Sequence, residues 1–113
     1  MSNRRDQDYL NDIQEAIKRI SEYTARLSFQ QFIQDRKTQD AVIRNIEVIG
    51  EATKNLSHHV RKSNSKIPWK EMAAIRDKMI HHYFGINDEI VWEIAKKQLP
   101  HLLPKIQEIL KAL

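Results

Sequence analysis

Residues 76–83, Arg-Asp-Lys-Met-Ile-His-His-Tyr, bring acid–base and phosphate-binding side chains together within about two helical turns. His81 can take and give a proton near neutral pH. Arg76 stays charged and presents a planar fork that matches phosphate oxygens. Asp77 lies four residues before His81, on the same helical face, where a carboxylate can orient an imidazole. Tyr83 lies seven residues after Arg76, again on one face. One helix can thus offer a phosphate-binding cation, an acid–base group with an orienter, and a phenol.

The spacing sets a difficulty. Arg76 and His81 stand about 140° apart around an ideal helix. Three solutions are open: the arginine reaches round, the helix distorts, or a second chain completes the site. The third is preferred, because a two-fold dimer brings two copies of the helix into one cleft. The ordinary alternative is that these are surface and packing residues of an amphipathic helix.

Other clusters carry less. His58 and His59 are adjacent and diverge on a helix, His82 beside His81 leaves the working histidine ambiguous, and His101 stands alone. With no cysteine there is no thiolate chemistry, no disulfide and no sulfur-ligated zinc. There is no Gly-rich phosphate loop and no Ser-His-Asp arrangement, so neither a metal nor a cofactor is expected.

The elements that must position these residues read as helices. Two glycines and three prolines in 113 residues point to long helices and few connections. Leu10, Ile13, Ile17, Ile20, Thr24 and Leu27 form a stripe in steps of three and four, the buried face of a first helix. Ser28 and Gln31 are spaced as a capping box for a short second helix. A third is expected over about 38–56, burying Val42, Ile46, Ile49, Thr53 and Leu56. Its opposite side carries Arg44, Val48, Glu51 and Asn55, and the plain reading of Arg44 and Glu51 is a solvated face with a weak ion pair. Residues 57–66 read as a loop. Pro68 suits the first position of a fourth helix reaching about Phe84, with Gly85 as its left-handed cap. Asn87 suits the next N-cap, with Asp88 and Glu89 in the first turn and Ile86 and Val91 as a staple. That fifth helix should end near Leu99. Pro100 and Pro104 compete to start a last one carrying Leu102, Leu103, Ile106, Ile109, Leu110 and Leu113. The expected fold class is all-α, an antiparallel bundle of five to six helices forming a single domain over 1–113.

The net charge of +4 favours anionic partners only mildly. Its placement says more. No acid occurs between Glu51 and Glu71, and the stretch holds Lys54, Arg61, Lys62, Lys66 and Lys70 with Trp69 among them. A basic patch beside an aromatic suits a nucleic-acid backbone; a solvated basic loop is the alternative. The polar residues 1–8 predict no signal peptide, and no apolar run has transmembrane length. Together with the missing cysteines this fits a cytoplasmic protein.

Arg76, four residues, His81, one residue, Tyr83 resembles the Arg-X4-6-His-X-Tyr motif of the HepT-like toxins, small helical ribonucleases of the HEPN superfamily. The run Ala41-Val42-Ile43-Arg44-Asn45-Ile46-Glu47-Val48-Ile49-Gly50-Glu51-Ala52 is similar to the family's third-helix signature. Ile67-Pro68-Trp69, Tyr83-Phe84-Gly85-Ile86, Val91-Trp92 and Leu99-Pro100 extend the likeness over roughly residues 8–110. The resemblance implies a dimeric bundle and metal-independent RNA cleavage, with Arg76 and His81 as the catalytic pair and Asp77 beside them. It implies a type VII toxin–antitoxin system whose partner, an MntA-type nucleotidyltransferase antitoxin, attaches AMP to Tyr83. Lys62, Lys66 and Lys70 are the residues expected to hold the RNA backbone. The rival reading is a non-catalytic helical companion of a nucleotidyltransferase, in which the motif helix is a docking surface only.

Overall fold

The computed structural model describes residues 5–82 and 87–113, with side chains for all of these except 80–82. The described residues are helical almost throughout, in the order α1 (Asp6–Thr24), α2 (Phe29–Gln34), α3 (Arg36–Lys54), α4 (His58–Ser63), α5 (Trp69–His82), α6 (Asp88–Glu93) and α7 (Leu99–Ala112). A π-helical turn, Ile94–Gln98, joins α6 to α7. Counting α6 through α7 as one continuous rod, the described residues form six helical rods in an all-α bundle.

The apolar stripes meet as their spacing requires. Leu10, Ile13, Ala16, Ile17 and Ile20 of α1, with Val42, Ile43, Ile46 and Ile49 of α3 and Ile106 of α7, are all buried. Each such large side chain contributes roughly 1.5–3 kcal/mol by leaving water. Helix α3 is the central element, packed against α1 on one side and α5 on the other. The two buried hydroxyls in these stripes, Thr24 and Thr53, each donate at 2.8 Å to the carbonyl four residues back, so neither is left unsatisfied.

Local signals set most helix ends. Ser28 and Gln31 form the expected capping box at α2. Asp35 caps α3, accepting from the Thr38 N–H at 3.0 Å and the Thr38 hydroxyl at 2.7 Å, which starts the helix at Arg36. Those two donors hold the Asp35 carboxyl below the usual carboxylate range. Asn87 caps α6 in a left-handed conformation at φ 67°, its side chain accepting from the Glu89 N–H. Phe84, Gly85 and Ile86, expected to end one helix and staple the next, lie outside the described residues.

Two segments differ from the sequence expectation. Residues 57–66 are not simply a loop, because 58–63 form α4. Ser57 makes the difference. Its N–H and hydroxyl donate to the two Asp6 oxygens at 2.8 and 2.7 Å, and its oxygen accepts from the Val60 N–H. Val60 is then buried as the single apolar anchor of a polar helix. Nor does the chain break near Leu99. Pro100 has no N–H for the Lys96 carbonyl, and its ring crowds that oxygen. The turn widens instead, Leu99 N–H reaching the Ile94 carbonyl, and the helix continues through both prolines.

Candidate active site

Helix α5 carries the motif, and its contact with α3 fixes Arg76. Gly50 of α3 faces α5 so closely that an added Cβ would lie 3.2 Å from Arg76 Cβ and 3.3 Å from Ile75 Cγ2. A glycine inside a helix costs about 1 kcal/mol relative to alanine; here it allows the two backbones to approach at the level of the arginine. One residue on, Glu51 accepts a hydrogen bond from Arg76 at 3.0 Å, Nη1 to Oε2. The two side chains are 47% and 57% exposed, so water reaches the pair and the remaining guanidinium donors stay accessible. Glu51 therefore pairs across the helix interface with Arg76, and not with Arg44 on its own helix as the sequence suggested.

This pair borders a polar cavity of about 310 Å³ between α1, α3 and α5. Tyr9 and Asp12 come from α1, Arg44, Glu47 and Glu51 from α3, and Arg76 from α5. Two guanidinium groups thus share one opening with three carboxylates. Arg44 is exposed and has no ion-pair partner among the described residues.

The remaining expected residues fall as follows. Asp77 is exposed on α5. Position 81 lies on the same helix, but its side chain is outside the described set, and Tyr83 is outside it altogether. Because α5 is regular α-helix from Trp69 to His82, no distortion brings positions 76 and 81 onto one face. Lys62 and Lys70 are exposed, and Lys66 borders two grooves along α7 shared with Lys105. None of the three lysines lines the Arg76 cavity. Trp69 is a core residue, 7% exposed with its indole N–H donated to the Asn64 carbonyl, so it offers no stacking surface beside the basic stretch. Sequence reasoning missed the wall from α1, Tyr9 and Asp12, which depends on tertiary packing. It also missed Gly50, although a glycine inside a strongly patterned helix was a readable sign of close approach.

The family model described as "Ribonuclease HepT-like" matches residues 13–109. Among named relatives, the chain is 50% identical over 103 residues to a "Putative RNase" of Methanocaldococcus jannaschii, covering 91% of this chain and 85% of that one. It is 46% identical over 104 residues to "Probable ribonuclease HepT" of Thermococcus cleftensis, covering 92% and 94%. A "Putative RNase" of Caldanaerobacter subterraneus is 43% identical over 103 residues, covering 91% and 92%. No solved structure matches the chain. Bundle and relatives together define a small helical ribonuclease of the HEPN type. The chain belongs to the HepT-like ribonuclease family.

Proposed function

We propose that this chain is a metal-independent endoribonuclease toxin whose chemistry is carried by Arg76 and His81. The observation that carries the reading is the setting of Arg76. It borders an open polar cavity, with one N–H bonded to Glu51 and further donors accessible, in a chain of the HepT-like family. In the reaction the ribose 2′-hydroxyl attacks phosphorus and loses its proton. The bond from phosphorus to the 5′ oxygen breaks, and that oxygen gains a proton. The products are a 2′,3′-cyclic phosphate and a 5′-hydroxyl. His81 serves one of the two proton transfers, oriented by Asp77 one turn earlier, and Arg76 stabilises charge building on the phosphate.

Since α5 is regular, positions 76 and 81 stand about 140° apart around the helix of one chain. Two copies in a homodimer supply the cleft with an arginine and a histidine from each motif helix. Lys62, Lys66 and Lys70 hold flanking RNA through its phosphates, away from the cavity. Control comes from a cognate nucleotidyltransferase antitoxin that attaches AMP to Tyr83, placing a phosphodiester anion where the RNA phosphate should sit. The test is cleavage of RNA by the purified chain with and without chelator. Cleavage that persists in chelator and leaves cyclic phosphate ends supports the reading. An inert chain that only binds its nucleotidyltransferase would support the companion-subunit alternative.

A further inference from the structure

Arg44 is the cation on the cavity wall that the reaction above does not use. It lies seven residues before Glu51 on α3, so the two share a face about 10 Å apart along the helix axis. The start of α1 meets the end of α3 through Asp6 and Ser57, and α1 runs antiparallel to α7, with Lys96 at Thr24 and Gln14 near Leu110. The residues before α5 lie along the end of α7 and Lys78 lines the groove that includes Ile94, so α5 is antiparallel to α7 as well. Helices α3 and α5 therefore run antiparallel, with Gly50 opposite Arg76. At the same rise per residue on both helices, Arg44 is level with the C-terminal end of α5, where position 81 lies. The cavity therefore has a cation at each level, Arg76 beside Glu51 and Arg44 toward the histidine position.

The two cations differ in their commitments. Arg76 is held by Glu51 at 3.0 Å. Arg44 is exposed, with no ion-pair partner among the described residues, although Glu47 and Asp12 line the same cavity. An extended strand carrying a phosphate at each step matches a row of separated cations better than any single anion does.

We propose that Arg44 is a second phosphate-binding residue, which holds an RNA phosphate neighbouring the scissile one and so fixes the path of the strand along α3. This rests on the ribonuclease reading above. Arg44 binds substrate and takes no part in bond making, so its loss acts on KM while leaving kcat nearly unchanged, whereas loss of Arg76 acts on kcat.

The experiment uses the full chain and a labelled single-stranded RNA in which every 2′-hydroxyl is methylated, which binds but cannot be cut. Affinity is measured over a salt series for wild type, Arg44→Ala and Arg44→Lys, and unmodified RNA is used for cleavage. For Arg44→Ala, Kd should rise about tenfold at low salt, as for loss of one charged hydrogen bond. The slope of log K against log salt should fall by about 0.7, one phosphate contact on a single strand. Arg44→Lys should keep the wild-type slope. An Arg44→Ala protein with wild-type slope and Kd overturns the inference while wild-type cleavage leaves the ribonuclease reading intact. A lowered melting temperature with an unchanged slope makes Arg44 structural and also overturns it. A wild type that cuts no RNA overturns the parent reading instead.

Discussion

Glu51 Oε2 accepts a hydrogen bond from Arg76 Nη1 at 3.0 Å, tying the third-helix signature to the motif helix across 25 residues of sequence. Its position beside Gly50 makes the relationship one of placement. The glycine lets α5 come close, and the carboxylate selects where the guanidinium points.

Replacing Glu51 should therefore separate activity from stability. A pair this exposed contributes at most about 1 kcal/mol to folding. Glu51→Ala should change the denaturation free energy by no more than that. Its kcat/KM on RNA should fall between about tenfold and a hundredfold, the scale of a misplaced catalytic group. Glu51→Gln, which keeps an acceptor, should recover part of the loss. A Glu51→Ala enzyme with wild-type kcat/KM would remove the positioning role.

Gly50→Ala should do the reverse of the usual glycine-to-alanine stabilisation. Helix propensity gains about 1 kcal/mol. Against this, the new methyl would sit 3.2–3.4 Å from Arg76 Cβ, Ile75 Cγ2 and the Arg76 backbone nitrogen, tighter than ordinary contact. Overpacking of this kind costs about 1–3 kcal/mol. Net stability should be unchanged or lower by up to about 2 kcal/mol. Activity should fall further than stability, because the displaced helix carries Arg76. Chemical denaturation and initial rates on one preparation measure both, and a more stable, fully active protein would contradict the close-approach argument.

The bundle was largely legible in the sequence, because the stripes of α1, α3 and α7 repeat at helical spacing and bury as read, except at their ends: Leu27 lies beyond α1 and is half-buried, and Leu113 is 61% exposed at the end of α7. The caps at Ser28 and Asn87 were legible for the same local reason. Helix α4 was not. Its residues are polar, and the group that helps start it, Asp6, is 51 residues away from Ser57. The continuity through Pro100 was also hidden, since a proline reads as a break unless a widened turn absorbs it. At the site, the residue types of α5 could be read, but their partners could not. Arg44 and Glu51 lie on one face of α3, which suggested a mutual pair. Only the packing of α5 shows that Glu51 turns to Arg76 and leaves Arg44 on the cavity wall.

The cap at Asp35 makes a pH prediction. Its folded carboxyl is held below the ordinary value because the Thr38 N–H and hydroxyl both donate to the charged form. A depressed folded value means the cap's contribution is complete above the unfolded carboxylate pKa near 3.9 and fades as pH falls through the folded one. Asp35→Ala should thus be less stable than wild type at pH 6, with the gap narrowing below about pH 4. Denaturant midpoints across that range would show it. A gap independent of pH would mean that the carboxylate charge is not what stabilises the start of α3.

Tyr83→Phe removes the phenolic hydroxyl and nothing else. The variant should remain a folded ribonuclease and escape inactivation by the cognate nucleotidyltransferase and ATP. Mass spectrometry should find an added AMP on the wild type and none on the variant. The same adduct on Tyr9 or Tyr23, with activity lost, would contradict the assignment of Tyr83.

The most direct measurement compares cleavage of one RNA, in the presence of chelator, by wild type, Arg76→Ala, His81→Ala and His82→Ala, with helical content checked in parallel. Wild type and His82→Ala should cut and leave 2′,3′-cyclic phosphate ends. Arg76→Ala and His81→Ala should be folded and inert. Full cleavage by His81→Ala, or a wild type that cuts only with added metal, would contradict the account.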